Sequence, residues 1–231
     1  MTVKQAKILW ITAIVAMGLT VAMNLFGGTG TVCAAYLTKN FPPMWQDLKY
    51  HRWLYQRLMI MTIIIGVAGL WVLYALFRSK QHCYRYAVAL LVMGTFIAEL
   101  QVTASLDLRG KAVPANIKFY FNLFTLIYFL ILGLPTISQW VDFSKAGGKS
   151  EIAAAGGMTA ILAGIAAITI NVWVGDSHIY MGTDWVNVLQ PELGIGGIAL
   201  TILGMRILAR SVSDILRQSE QFAAPIGELS N

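Results

Sequence analysis

Glu99 is the side chain in this sequence best placed to do chemistry, because it lies inside an apolar run long enough to cross a membrane. An ionisable group there is costly unless it is paired, protonated or hydrated. Thr95, Glu99, Thr103 and Asp107 recur every four residues, a spacing that keeps them on one slowly turning face of a helix. At about 1.5 Å per residue, Glu99 would lie about 20 Å from the inner end of its helix, in the outer third of the span.

Asn24, Gln101, Asn122 and Asn171 fall at a similar depth in their own apolar runs. Two arrangements fit this agreement. One is an outward-facing polar cavity between helices; the other is a set of interhelical hydrogen bonds that only hold the helices together. The asparagines alone favour the second, and Glu99 is what argues for the first. The candidates for lining a cavity or binding a ligand are therefore Glu99, Thr95, Thr103, Asp107, Arg109, Asn24, Asn122, Asn171 and His51. None is assigned a catalytic role.

The histidines offer little. His51 and His178 fall in separate loops on the same predicted side, and Asp47, four residues before His51, would share its helical face and could orient its ring. Two loop histidines are usually independent, so no metal site is assigned. No histidine lies within a span to hold haem, and the Glu-x-x-His pairs of a carboxylate-bridged di-metal centre are missing. Cofactors stay unspecified. Arg52, Arg57, Arg109, Lys111 and Lys118, all placed outside, could meet lipid headgroups or an anionic ligand, although such flanking cations commonly snorkel. There is no Gly-x-Ser-x-Gly, Walker or His-Glu-x-x-His motif.

The elements that position these residues follow from composition. Of 231 residues, 57% are hydrophobic and only 12% charged, about half the charged share of a typical soluble domain. Apolar runs of about 20 residues, the length that crosses a hydrocarbon core, repeat along the chain. Helices are required, since lipid offers no partner to open backbone and nothing alternates like a barrel strand. The expectation is an all-α integral membrane protein of six transmembrane helices at about 7–27, 58–78, 84–106, 119–139, 152–174 and 190–208, forming one polytopic domain. Lys4 and Lys7 before the first run resemble a signal peptide, but the run is too long for one, so the first helix is expected to stay.

Ten of the 17 basic residues fall inside if the N-terminus is inside, the Arg78–Arg85 connection carrying the clearest signal. That favours an N-in, C-in topology in the inner or cytoplasmic membrane. The first outer loop then begins with a glycine-rich exit turn at Gly27–Gly30. It ends in an interfacial helix marked by Trp45, Tyr50, Trp53 and Tyr55. Gly156, Ala160 and Gly164 in the fifth span, with Gly196, Gly197 and Gly204 in the sixth, predict close pairing of those two helices. Cys33 and Cys83 lie near opposite ends and are expected to be unpaired.

The lipid bilayer is the expected environment and other membrane subunits the expected partners. Nucleic acid is excluded, because the positive charge is divided between two membrane faces. The leading functional expectation is a non-catalytic subunit of a larger membrane assembly, of respiratory or photosynthetic type, with contacts to lipid or pigment. Two alternatives stand beside it: a small transporter or channel with a polar cavity around Glu99, and a membrane enzyme acting on a lipid or quinone at the outer interface.

Overall fold

The computed structural model describes residues 2–37, 46–143, 148–174, 179–180 and 182–223. Six of its helices are long and apolar enough to cross a membrane, spanning Gln5–Tyr36, Arg52–Phe77, Cys83–Arg109, Ala115–Leu132, Lys149–Ile168 and Gln190–Asp214. The fold is that of a multi-pass helical membrane protein.

The elements run α1 (Val3–Gly30), α2 (Val32–Tyr36), α3 (Gln46–Tyr50), α4 (Arg52–Phe77), α5 (Cys83–Arg109), α6 (Ala115–Leu132), α7 (Pro135–Ser138), α8 (Lys149–Ile168) and α9 (Ile170–Val174). A two-residue ribbon follows, β1 (Ile179–Tyr180) antiparallel to β2 (Thr183–Asp184), and then α10 (Trp185–Val188) and α11 (Gln190–Ala223). Helix α1 is central and packs against α4, α6 and α8; α5 packs against α4 and α6, and α11 against α8. The end holding the N-terminus is called proximal below, and the opposite end distal.

The two halves of the bundle are built differently. The proximal half holds the apolar core, with Trp10, Ile14, Met17, Leu76, Leu91 and Phe129 buried together. The distal half buries polar side chains beside two smaller apolar clusters, one around Leu48 and Met59 and one around Leu58 and Ile97. Lipid tails are as apolar as leucine, so helices in a bilayer gain by close approach and hydrogen bonds rather than by hiding apolar surface from water.

The α8–α11 pair shows that close approach. A Cβ on Gly157 would lie 2.9 Å from the carbonyl oxygen of Gly204, and one on Gly197 would lie 2.7 Å from that of Gly164. Backbone therefore meets backbone at Gly157, Gly164, Gly197 and Gly204. Gly164, Gly197 and Gly204 lie on this contact as expected, whereas Gly156 and Gly196 face open space and Gly157 takes the place of Gly156.

Three boundaries differ from the sequence expectation. Gly27, Gly28 and Gly30 are helical rather than an exit turn. A Cβ on Gly28 would lie 2.6 Å from Ile63 Cγ1, so this glycine lets α1 lie against α4. The fifth helix breaks at Thr169, whose hydroxyl turns back to the Ile165 carbonyl at 2.8 Å. The fourth runs over Ala115–Leu132 instead of 119–139. Pro135 holds Leu134 extended at φ −61°, ψ 139°, because a residue before proline avoids the helical region. At the start, four more residues join the helix, and Lys118 is one of them.

The expected interfacial segment is described only in part. Trp45 lies outside the described residues, while α3 and the start of α4 meet at His51 with Tyr50 and Trp53 exposed. Cys33 and Cys83 are free thiols at opposite ends.

Candidate functional site

Polar stripes on four helices converge in the distal half. On α6 the stripe is Lys118, Asn122 and Thr125; on α1 it is Thr20 and Asn24, continued by Thr31 at the C-cap; α5 supplies Gln101 and Ser105, and α4 supplies Tyr55 and Thr62. All are buried. Spacings of three, four and seven residues put each set on one helix face, and the packing of α1, α4, α5 and α6 turns those faces toward one another.

The hydrogen bonds form a directed chain. Lys118 Nζ donates to Thr62 Oγ1 at 3.0 Å and to Gln101 Oε1. Gln101 Nε2 donates to Thr31 Oγ1 at 2.9 Å, and the Thr31 hydroxyl donates to the Gly27 carbonyl at 2.6 Å. On the other side of Lys118, its carbonyl accepts from Asn122 Nδ2 at 2.8 Å. Asn24 Nδ2 donates to Asn122 Oδ1 at 3.1 Å, and the hydroxyls of Thr20 and Thr125 meet at 2.7 Å. Beside this chain Tyr55 shares a hydrogen bond with Ser105 at 3.1 Å.

Lys118 is the unusual member. It is 3% exposed, and its two hydrogen-bond partners, Thr62 and Gln101, are neutral. Lys7 with Glu151, at 2.6 Å, is the ion pair found among the described residues, and it lies at the proximal end. A buried ammonium beside neutral groups alone is electrostatically expensive. An ammonium also carries three donors, and the two bonds to Thr62 and Gln101 use two of them.

A cavity of about 400 Å³ opens beside this chain. Lys118, Gln101, Thr31, Tyr55 and Arg109 form its polar corner. Its apolar walls come from α1 through Met23 and Phe26, from α8 through Ala163, Ala166 and Ala167, and from Trp173, Trp185 and Leu193. The volume lies within the range of roughly 300–1,000 Å³ usual for small-molecule sites, and apolar walls with a few convergent polar groups are their usual character. Two cations and no carboxylate stand among the described lining residues. A second cavity, of about 270 Å³ and lined in part by Lys80, His82 and Asp142, lies at the proximal end.

The candidates named from sequence are divided by this geometry. Asn24 and Asn122 are paired in the chain, and Arg109 lines the cavity. Glu99, Thr103 and Asp107 are exposed on the far face of α5, Thr95 is half-buried, and none of the four lines the cavity. Asn171 is exposed and accepted by Asn187 at 3.1 Å. His51 is exposed too; its Nδ1 meets the backbone carbonyl of Asp47 at 3.0 Å, not the carboxylate. His178 lies outside the described residues, and no cluster of three metal-ligating side chains occurs among those described.

Tyr55, Thr62 and Thr31 were not candidates from sequence, and Lys118 was named only among the outer cations that could meet a headgroup or an anionic ligand. Lys118 counted as a flanking, snorkelling cation; the structure corrects this, since it is the fourth residue of α6 and is enclosed. The signal that could have found it is the Lys118, Asn122, Thr125 spacing, which continues a buried stripe rather than ending a span.

Comparison with known proteins gives no match: no family model, no curated protein and no solved structure resembles this chain. The class that the fold defines, a multi-pass helical membrane protein with six candidate spans, rests on the chain's own helices.

Proposed function

We propose that this chain is a membrane-embedded binding protein that holds one amphipathic molecule in its distal cavity. The observation that carries this reading is the cavity's mixed lining, in which alanine, leucine and tryptophan surround the polar group Lys118, Arg109, Tyr55, Gln101 and Thr31. Phe26, Trp185 and Leu189 on its rim are exposed. Phe26 belongs to a membrane-length apolar span, so the opening suits a molecule arriving from the lipid phase. With the N- and C-termini on the cytoplasmic side, as the lysine and arginine distribution favours, the cavity would serve the outer leaflet, and α3 would lie near the interface.

The test is purification in mild detergent, followed by mass spectrometry and an absorption spectrum of what travels with the chain. A lipid, quinone or pigment should co-purify near one per chain. It should be lost from Ala167→Phe, which fills the cavity. If that variant retains the same molecule at the same ratio, the reading fails.

A second reading, membership of a larger membrane assembly, is favoured by Glu99 alone. Its carboxylate is exposed on a face of α5 shared with apolar Val92, Phe96 and Leu100. A charge facing lipid is costly, and a neighbouring subunit would relieve it. Native mass spectrometry of gently solubilised membranes should then find partner subunits that Glu99→Leu retains poorly. A chain that runs alone in both forms would exclude this.

A further inference from the structure

We infer that the molecule bound in the distal cavity is an amphiphile with an anionic head, carboxylate or phosphate, seated at Lys118 beside Arg109. This rests on the binding reading above and adds the ligand's chemical class.

Charge is the first argument. Lys118 is enclosed with two neutral partners, and Arg109 stands on the same cavity wall. No carboxylate lines the cavity among the described residues. An uncharged ligand such as a quinone or sterol would leave the enclosed Lys118 ammonium with neutral partners only, Thr62 and Gln101 among the described residues. A cationic one would make it worse. An anion turns the same desolvation into charge-assisted hydrogen bonds, which are shorter and stronger than neutral ones. Lys118 has a third N–H to give, and Tyr55 OH and Arg109 stand on the same polar corner.

Size is the second argument. The cavity of about 400 Å³ takes a small head and one chain, and because it opens toward the lipid phase a further chain would lie outside it. The third argument is polarity order. The cationic groups sit where α5 ends, α6 begins and α1 passes them, whereas Ala163, Ala166, Ala167 and Trp173 make the opposite wall apolar. Head and tail therefore have separate places.

The test uses the full chain in nanodiscs and three bromine-substituted probes: dodecanoate, dodecyl phosphate and dodecanol. Bromine quenches nearby indoles, and Trp173 and Trp185, two of the seven tryptophans, line the cavity. At least one anionic probe should bind about tenfold or more tightly than dodecanol, as one charge-assisted hydrogen bond would give. That preference should fall to near one in Lys118→Met, and to a smaller degree in Arg109→Gln, which serves if the first variant does not fold. Preference for dodecanoate identifies a free carboxylate as the head; preference for dodecyl phosphate identifies a lipid-type phosphate; either supports the inference. Equal binding of all three overturns the anionic head but leaves an amphipathic pocket standing. Quenching by none of them, or quenching that persists in a Trp173→Phe, Trp185→Phe variant, removes the pocket reading itself.

Discussion

Gly27 of α1 lies against the aliphatic stem of Lys118 on α6, so closely that a Cβ at position 27 would stand 3.1 Å from Lys118 Cδ. The glycine therefore leaves the channel through which the lysine reaches Thr62 and Gln101. Its neighbour Gly28 has less room still, since a Cβ there would meet Ile63 Cγ1 at 2.6 Å and the Ile63 backbone nitrogen at 3.3 Å. A lysine stem can shift more readily than a helix backbone. Gly27→Ala should therefore lower stability by about 1 kcal/mol or less, and Gly28→Ala by more, within the range of about 1–3 kcal/mol for overpacking. Thermal unfolding in a single detergent checks the order; equal losses would contradict it.

The pair Asn24 and Asn122 ties α1 to α6 at full burial, each amide donating to the other's carbonyl oxygen at 3.1 and 3.4 Å. Interhelical polar pairs in membranes are worth about 0.6 kcal/mol on average and rarely more than about 1.7 kcal/mol. A double-mutant cycle of Asn24→Ala and Asn122→Ala should give a coupling of about 1 kcal/mol. The two single changes should cost similar amounts, because each amide also donates to a carbonyl one turn back on its own helix, Asn24 to Thr20 at 2.9 Å and Asn122 to Lys118 at 2.8 Å. Additive losses would show that the amides act separately.

The glycines of the last two long helices make a paired control. Gly197 packs on the Gly164 carbonyl and on Ile168, while Gly196, one residue earlier, has nothing near its missing Cβ. Gly197→Ala should destabilise the α8–α11 pair by about 1–3 kcal/mol. Gly196→Ala should be neutral or stabilising by a few tenths of a kcal/mol, because alanine is the better helix former. Limited proteolysis after α8, together with melting temperature, separates the two. A Gly196 variant as damaged as the Gly197 variant would mean that this face has a partner.

Much of the architecture is legible in the sequence, because apolar runs of membrane length leave the backbone few alternatives. What the runs do not carry is rotation. Glu99 and Asn122 lie at comparable depth, yet one faces outward and the other inward, and the difference is which side of α5 meets α4 and α6 and which side of α6 meets α1 and α5. Helix α5 turns Gln101 and Ser105 inward, and Glu99, two residues away from Gln101, is carried outward by the same turn. Lys118 is obscured for a different reason. A charged residue at the edge of an apolar run reads as the end of the span, whereas the Pro135 break moves the whole helix four residues or more toward the N-terminus.

The final prediction separates what Lys118 does for stability from what it does for binding. Replacing a buried charge with an apolar residue of similar volume is often neutral or stabilising, and methionine matches the length of the lysine stem. Lys118→Met leaves Gln101 Oε1 and Thr62 short of a donor, an effect of about 1 kcal/mol each at most, but it also removes an ammonium whose hydrogen-bond partners among the described residues are neutral. The two effects oppose each other, so the melting temperature of Lys118→Met without ligand should lie close to that of the parent. Lys118→Ala adds a void beside Gly27 and should lose about 2 kcal/mol or more. With an anionic amphiphile present the parent should gain stability by mass action, and Lys118→Met should not. The parent and the methionine variant would then diverge only on addition of ligand. A methionine variant already several kcal/mol less stable in its absence would make Lys118 a structural residue first.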